Sequence, residues 1–248
     1  MPVDDEHISR LPRGMNLLAI ETATESCSAA LNIGGRIIER SEIAPRRHAE
    51  LILPMIESLL AEAGIARTQL DGIAVGRGPG AFTGVRLAIA VSQGLALALD
   101  IPVVPVSSLA ALAQDAPVSE ASILAVIDAR MGEVYAGAFR RGADGPVEAM
   151  NEETIGKADE LILPESIQWC IVGTGWDAYR HALAARLSAP PVFADGARYP
   201  QAHAVAALAA PQFAAGLGVA PEQALPVYLR DKVALTLEEQ RATRSHAS

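Results

Sequence analysis

Short apolar stretches separated by polar turns open the chain. Asn16–Glu21 is apolar and ends on an acid, residues 28–33 form a second apolar stretch, and Arg36–Ile43 follows after a Gly34-Gly35 pair. Adjacent glycines favour a two-residue hairpin, because glycine adopts positive φ without steric cost. The pattern therefore predicts a β-meander of three strands.

Apolar residues then recur at helical spacing between residues 51 and 60, and Gly64 follows the run. Glycine commonly ends a helix, because it adopts the left-handed conformation that the last turn requires. Pro54 lies inside the run, and proline lacks the backbone N–H that a helix interior needs. We therefore expect a helix over residues 48–63 that is kinked or begins one turn later.

A glycine loop, residues 76–86, comes next. Four glycines and one proline fall in its first nine positions, and this content fits neither a strand nor a helix interior. Residues 71–75, which are mainly apolar after Asp71, precede the loop, and a proline-free run from Thr83 to Leu99 follows it. The predicted order is strand, glycine loop and helix, with Thr83 as the N-cap.

The glycine loop is compatible with more than one role. A phosphate-binding P-loop would need a lysine, and the loop has none. A dinucleotide fingerprint fits the spacing of Gly76, Gly78 and Ala81. However, Pro79 removes a backbone amide, and the following strand, Val103–Val106, does not end on the acid that such sites use. On spacing alone, the third interpretation also remains: the loop is a turn that only leads the chain into the helix.

The helix after the glycine loop is apolar on nearly every side, whereas a helix on a protein surface shows a single apolar stripe. Over a length of about 25 Å, one side is expected to meet the sheet and the other side a second cover. That cover could be the 48–63 helix, a neighbouring domain or another subunit, and we favour a subunit interface. The apolar positions are Val85, Leu87, Ile89, Val91, Leu95, Leu97 and Leu99.

The second half of the chain repeats this order, and its first strand ends on Asp128 as the first strand of the chain ends on Glu21. Three strands, a helix, a strand and a helix occurring twice describe the duplicated actin-like α/β fold of sugar kinases and Hsp70. Two lobes with mixed sheets flanked by helices face each other across a cleft in that fold. The predicted elements are strands at residues 122–128, 133–140, 147–150, 168–173 and 192–194, and helices near residues 157–163, 177–187 and 201–215.

The predicted elements divide the chain into four parts. We expect residues 1–14 to be a disordered extension, unless the true start is Met15. Residues 15–106 form the first lobe and carry the partner-binding helices, and residues 107–220 form the second lobe. Residues 221–248 form a C-terminal segment that packs back on the first lobe and ends in a disordered tail.

The composition and charge of the chain argue against several classes of function. Half of the 248 residues are hydrophobic and the net charge is −9, which argues against unaided nucleic-acid binding because phosphate contacts need clustered Lys and Arg. Cys27 and Cys170 match neither a disulfide framework nor a zinc pattern. Residues 1–14 lack the apolar core of a signal peptide, and no stretch of about 18 uncharged apolar residues follows. We therefore expect a cytoplasmic protein without membrane contact.

Two motifs are specific: Gly-Pro-Gly-x-Phe-Thr-Gly-x-Arg at residues 78–86, and Asp-Ala-Arg followed by Val-Tyr within residues 128–135. Together with further motifs, they make the chain from about residue 15 to residue 233 resemble the TsaB family, also called YeaZ. Glu21, where the family usually has Asp, and Ala81, where it usually has Ser, depart mildly from the pattern. The further motifs lie at residues 18–24, 47–54 and 228–231.

The resemblance implies a non-catalytic subunit of the bacterial machinery that installs threonylcarbamoyladenosine next to the anticodon of tRNAs reading codons that begin with A. In that scheme the related subunit TsaD transfers the group to tRNA, and the ATPase TsaE binds the TsaB–TsaD pair. Contact with tRNA is expected mainly through the partner. Without a partner, the apolar helix is expected to form homodimers.

The resemblance also places the interface with TsaD on two helices, the one after the third strand and the one after the glycine loop. This agrees with the apolar character of the second helix. The candidate interface residues are His48, Leu51, Ile52, Met55, Phe82, Arg86, Ile89, Gln93 and Leu97.

Catalysis by this chain is not expected. TsaD carries a His-x-x-x-His metal pair, but here Ile52 follows His48 at that spacing, and one imidazole cannot hold a metal that needs three or four ligands. The turns after Glu21 and Asp128 lack the glycine that lets backbone approach phosphate in kinases of this fold. We expect no catalytic residue, metal or cofactor. Residues 173–175 fit either a remnant adenosine turn or a tight strand-to-helix turn, and the alternative function is a small-molecule kinase or acyl-transfer enzyme that uses the cleft.

Overall fold

The first sheet is built around the predicted meander. The computed structural model describes residues 14–118, 121–142 and 145–230. The first sheet has the strand order β3-β2-β1-β4-β5, with β1, β2 and β3 antiparallel and β1, β4 and β5 parallel. Its strands are β1 (Asn16–Glu21), β2 (Ser26–Ile33), β3 (Arg36–Ile43), β4 (Gly72–Gly76) and β5 (Val103–Val106).

The turn between β2 and β3 is the predicted two-residue hairpin. Ile33 pairs with Arg36, and the residues between them, Gly34 and Gly35, have φ angles of 56° and 97°. Two successive positive φ values suit the right-handed twist of a hairpin and strongly favour glycine.

Two helices pack on one face of this sheet, α1 (His48–Ala63) and α2 (Phe82–Leu99). α1 begins at His48 although Pro54 lies inside it, so the delayed start that we considered does not occur. α2 begins one residue before Thr83, because the extended backbone of Ala81 (φ −63°, ψ 124°) already forms the N-cap.

The second sheet has the order β11-β10-β6-β7-β8, and β9 also pairs with β7. β6, β10 and β11 are parallel, whereas β7 is antiparallel to β6, β8 and β9. The strands are β6 (Ser122–Arg130), β7 (Glu133–Arg141), β8 (Val147–Ala149), β9 (Thr154–Lys157), β10 (Trp169–Val172) and β11 (Phe193–Asp195).

The helix predicted near residues 157–163 is wrong. Thr154–Lys157 is instead a strand whose residues pair with β7, from Thr154 opposite Ala136 to Lys157 opposite Glu133, and residues 158–168 form no helix. Sheet pairing outweighed the weak local helical preference. The second half therefore repeats the order of the first half without the helix after its third strand.

Three further helices complete the described fold: α3 (Ser108–Gln114), α4 (Thr174–Ala184) and α5 (Ala202–Ala214). α5 lies on the face of the first sheet opposite α1 and α2, in a core made mainly of alanine and valine. The boundary between residues 106 and 107 thus separates the two sheets but not their helices. The extension predicted for residues 1–14 lies outside the described residues except for Gly14, as does the tail beyond residue 230.

Among the described helices, α2 is long and apolar enough to cross a bilayer by length and composition, and a third of it is buried within the chain. Core helices of water-soluble folds also pass this test. α2 packs on β4 and β1 of an open sheet, and an open sheet leaves edge groups that hydrocarbon cannot satisfy. The apolar character of α2 is therefore explained by packing against protein.

Candidate functional site

The glycine loop packs directly on the turn that follows β1. The amide of Ala81 donates to the carbonyl oxygen of Ala23 at 2.7 Å, and the hydroxyl of Thr22 donates to the carbonyl oxygen of Gly84 at 2.7 Å. A β-carbon on Gly80 would overlap the carbonyl oxygen of Ala23. The glycines are therefore required because two backbone segments touch here.

Glu21 is fully enclosed beneath the same loop. Its carboxylate accepts hydrogen bonds from the amide of Ala23 at 2.6 Å and from the hydroxyl of Ser108 at 2.7 Å. Burial raises the pKa of the Glu21 carboxyl above its ordinary value, and the hydrogen bonds from Ser108 and the backbone oppose part of that rise. A β-carbon on Gly76 would overlap this carboxylate. The carboxylate of Glu21 thus occupies the space beside the glycine loop.

Asp128, the matching acid of the second half, lies at the wall of the cleft between the sheets. Its carboxylate accepts hydrogen bonds from the amide and guanidinium of Arg130 at 2.8 and 2.7 Å, and from the hydroxyl of Tyr179 at 3.2 Å. Arg130 also pairs with Glu25 of the first lobe at 2.8 Å. The two matched acids therefore differ in role: one is buried in a core, and the other joins a bridge across the cleft.

The cleft has a volume of about 510 Å³ and lies between the turn after β1, the start of α1, the glycine loop and the β6–β7 hairpin. His48 lines it with a ring nitrogen, Nε2, that is enclosed and has no hydrogen-bond partner among the described residues. The charged side chains on its walls are Glu25, Arg46, Asp128, Arg130 and Arg230.

The candidate interface residues on α1 and α2 divide into three groups. Leu97 and Phe82 are 62% and 48% exposed, and Arg86 is exposed as well. Ile52 and Ile89 are 1% and 5% exposed and belong to the core between the helices and the sheet, so they are not accessible to a partner, contrary to the expectation. The half-buried candidates are His48, Leu51, Met55 and Gln93.

The exposed side of α2 forms a continuous stripe. Its members recur every three or four residues, which places them on one face of the helix. Two of them are small, so another helix could approach the backbone closely at its centre. The members of this α2 stripe are Phe82, Arg86, Ala90, Gly94 and Leu97.

From the sequence, residues 221–248 were expected to pack back on the first lobe, but no residue of that segment was assigned to this surface. Residues 219–230, which we call the strap, run across α2 to the second lobe, and Tyr228 of the strap places its hydroxyl 2.7 Å from Nε of Arg86. The motif at residues 228–231 was a signal for this segment, but it gave no role for any single side chain. The contact depends on residues 142 positions apart.

The described residues give little support for a metal site or a cysteine nucleophile. No group of three or more His, Cys, Asp and Glu side chains comes together among them. Burial raises the pKa of Cys27 to about 11, with Glu42 adding to the effect, and burial also raises the pKa of Cys170 to about 11. Thiols with so high a pKa are poor nucleophiles at neutral pH.

Comparison with known proteins agrees with this architecture. The family model TsaD, described as tRNA N6-adenosine threonylcarbamoyltransferase, matches residues 36–236. A tRNA threonylcarbamoyladenosine biosynthesis protein TsaB from Escherichia coli K12 is 41% identical over 226 residues, which cover 89% of this chain and 96% of that protein. A tRNA N6-adenosine threonylcarbamoyltransferase from Trichlorobacter lovleyi is 37% identical over 109 residues, which cover 37% of this chain and 32% of that enzyme.

A solved structure described as YeaZ from Pseudomonas aeruginosa superposes with a TM-score of 0.80 at 44% identity, and the match covers 87% of this chain and all of that one. The two mixed sheets, the cleft between them and the TsaD-type match define a protein of the duplicated actin-like class. Within that class, the match covers nearly the whole length of the Escherichia coli TsaB and of the Pseudomonas aeruginosa YeaZ, but only 32% of the Trichlorobacter lovleyi transferase. The chain belongs to the TsaB (YeaZ) family, and the fold and family predicted from the sequence are confirmed.

Proposed function

We propose that this protein is a non-catalytic subunit in the biosynthesis of threonylcarbamoyladenosine in tRNA, and that it acts by pairing with a TsaD-type transferase. The observation that carries the proposal is the α2 stripe. Leu97 and Phe82 remain exposed on a helix whose other side already fills the core. Large apolar side chains aligned on one exposed face mark a protein-binding surface.

The glycine loop supports a role without catalysis. In kinases of this fold, backbone amides beside the first turn must be open to phosphate. Here the turn at residues 21–23 packs directly against the glycine loop. A β-carbon on Gly76, Gly80 or Gly84 would overlap atoms of this turn, so no space for a phosphate is left between the turn and the loop. A phosphate could enter only if this packing opened.

Kinship with the transferase supports the choice of partner. The chain matches the TsaD family model over residues 36–236, so the two proteins share a fold and the transferase has helices that correspond to α1 and α2. In the absence of the transferase, the same surface would pair two copies of this chain. We place the TsaE-type ATPase on the assembled pair, tRNA mainly on the partner, and the complex in the cytoplasm.

The charge of this chain is consistent with that arrangement. Its net charge is −9, and such a surface repels the phosphate backbone unless a partner supplies basic residues. The proposed role therefore requires the transferase, or the complete complex, to provide most of the tRNA contact.

The proposal is tested by Leu97→Asp, with Ile162→Asp as the matched control. Ile162 is 87% exposed in the loop after β9 and lies outside the α2 stripe. Leu97→Asp should abolish co-purification of this protein with the tagged transferase. It should also remove threonylcarbamoyladenosine from cellular tRNA, which mass spectrometry of nucleosides measures. Ile162→Asp should leave both unchanged.

Two results would contradict the proposal. In the first, Leu97→Asp retains binding and modification, which would remove α2 from the interface. In the second, the protein alone binds ATP saturably and transfers its phosphoryl group, which would favour an enzyme that uses the cleft.

A further inference from the structure

The strap connects three parts of the molecule. It starts beside β5, where Val219 and Val103 exchange backbone hydrogen bonds of 2.8 and 2.9 Å. It then crosses α2, where Nε2 of Gln93 donates to the carbonyl oxygen of Ala224 at 3.1 Å. Ala224 is fully buried in the core under α2. The first half of the strap is therefore fixed to the first lobe.

Beyond this point the strap passes the glycine loop and reaches the second lobe. The amide of Val227 donates to the carbonyl oxygen of Arg77 at 2.9 Å. The guanidinium of Arg230 donates to the carboxylate of Glu133 at 2.5 Å and to the carbonyl oxygen of Ala129 at 3.1 Å. Both acceptors lie at the β6–β7 hairpin, so the end of the strap is held by the second sheet.

Between its attachments to the first and second lobes, the strap places Tyr228 beside the N-terminal end of the α2 stripe. The guanidinium of Arg86 lies 3.6 Å from the ring centre of Phe82 and 5.5 Å from that of Tyr228, and its Nε donates to the Tyr228 hydroxyl. The two rings lie 6.0 Å apart. Phe82 and Tyr228 are 48% and 49% exposed, so an Arg–aromatic cluster is exposed at the N-terminal end of the α2 stripe, where both rings also line the cleft. Leu97 lies at the opposite end of the stripe, about 22 Å along the helix.

We infer that the surface for the TsaD-type transferase is composite: α2 supplies Phe82 and Arg86, and the strap supplies Tyr228 as a direct contact. Arg230 is a positioning residue, which holds the strap against the second lobe so that Tyr228 stays beside Arg86. This inference rests on the proposed function. Trp, Tyr and Arg side chains dominate the energetic centres of protein interfaces. This cluster lies on the stripe to which the transferase is proposed to bind.

The direct contact is tested with Tyr228→Ala against Ile167→Ala. Ile167 is an exposed apolar residue before β10 and lies outside both the stripe and the strap. Affinity for the purified transferase is measured by calorimetry. Tyr228→Ala should weaken binding on the order of tenfold or more, whereas Ile167→Ala should not change it. Equal affinities of Tyr228→Ala and the unmodified protein would overturn the inference.

The positioning role is tested by exchanging the charges of Arg230 and Glu133. Arg230→Glu alone should weaken transferase binding, because two carboxylates then repel each other and the end of the strap is released. The double variant Arg230→Glu with Glu133→Arg should recover most of the affinity. If Arg230 instead touched the transferase directly, the exchange would not restore binding, and the positioning role would be wrong.

Failure of this inference can be separated from failure of the proposed function. If Leu97→Asp abolishes binding while the variants of the strap bind normally, the transferase uses α2 without the strap. If Leu97→Asp itself has no effect, the surface as a whole has been assigned wrongly. Thermal unfolding of each variant, followed by circular dichroism, establishes that a loss of binding does not come from a loss of folding.

Discussion

Gly84 lies against the carbonyl oxygen of Thr22 so closely that a β-carbon at this position would overlap it. Gly94, on the same helix, would place a β-carbon where no heavy atom of the described residues lies within 4 Å. One glycine is therefore required by packing within the chain, whereas the other is free of such a requirement.

This pair predicts opposite effects of one substitution. Gly84→Ala should lower the free energy of unfolding by about 2–4 kcal/mol, because the glycine loop must move away from the turn after β1. Gly94→Ala should raise it by up to about 1 kcal/mol, because alanine is the better helix former. Urea unfolding measures both, and a loss of stability in Gly94→Ala equal to that in Gly84→Ala would contradict the packing described.

A larger side chain at Gly94 should act on the complex and not on the fold. Gly94 lies in the middle of the α2 stripe, between Ala90 and Leu97. Gly94→Leu should leave the melting temperature of the monomer nearly unchanged when it is measured at a concentration below that at which homodimers form. It should nevertheless block the close approach of a partner helix. Calorimetric titration with the transferase should show a loss of affinity of at least about tenfold, and unchanged affinity would place the partner elsewhere.

Ile89 and Leu97 carry the same kind of side chain on the same helix but differ in burial, at 5% and 62% exposure. Ile89→Asp should lower the free energy of unfolding by at least about 3 kcal/mol, because it places an unpaired charge in the core. Leu97→Asp should change it by no more than about 1 kcal/mol. Ile89→Asp is thus unsuitable as an interface test, and denaturant melts of the two variants check the distinction.

His203 on α5 joins two carboxylates, with its ring nitrogens 2.9 Å from Glu39 and 2.9 Å from Asp115. The hydrogen bonds to Asp115 and Glu39 raise the pKa of His203 to about 10 from an ordinary value of 6.5. Because the folded-state pKa is the higher one, the stabilisation is complete below pH 6.5 and disappears as the pH rises towards 10.

The expected result is a difference between pH profiles. The stability advantage of the unmodified protein over His203→Gln should be largest near pH 6 and should shrink towards pH 10, by an amount reduced by solvent because the His203 side chain is 38% exposed. Thermal melts across this range measure it. His181→Gln on the exposed side of α4 serves as the control, and a constant difference between unmodified protein and His203→Gln would contradict the raised pKa.

Cys27 and Cys170 should be unreactive in the folded protein. Both thiols are buried, and the pKa of each lies at about 11, so less than about one thiol in a hundred is ionised at pH 8. A chromogenic disulfide reagent should titrate neither cysteine in native buffer and both in guanidinium chloride. Rapid modification of Cys27 in the native protein would reopen the question of a cysteine nucleophile.

Local sequence patterns predicted much of the first lobe. The adjacent glycines at positions 34 and 35 define the hairpin, and the periodic apolar residues before Gly64 define α1. These features depend on interactions between near neighbours, which a sequence displays directly. The strand Thr154–Lys157 was not predicted, and a helix was expected near residues 157–163, because the pairing of this strand with β7 is a contact between distant residues.

The sequence by itself determined that α2 would be apolar on more than one side and that the glycine loop would begin it. Only the tertiary structure decided which apolar residues remain available: Ile89 turns into the core and Leu97 does not. It also brought Tyr228 to Arg86 and enclosed Glu21 beneath the loop. Periodicity states how many faces of a helix are apolar, but the choice of the covered face depends on which distant segments pack there, and that is a property of the folded chain.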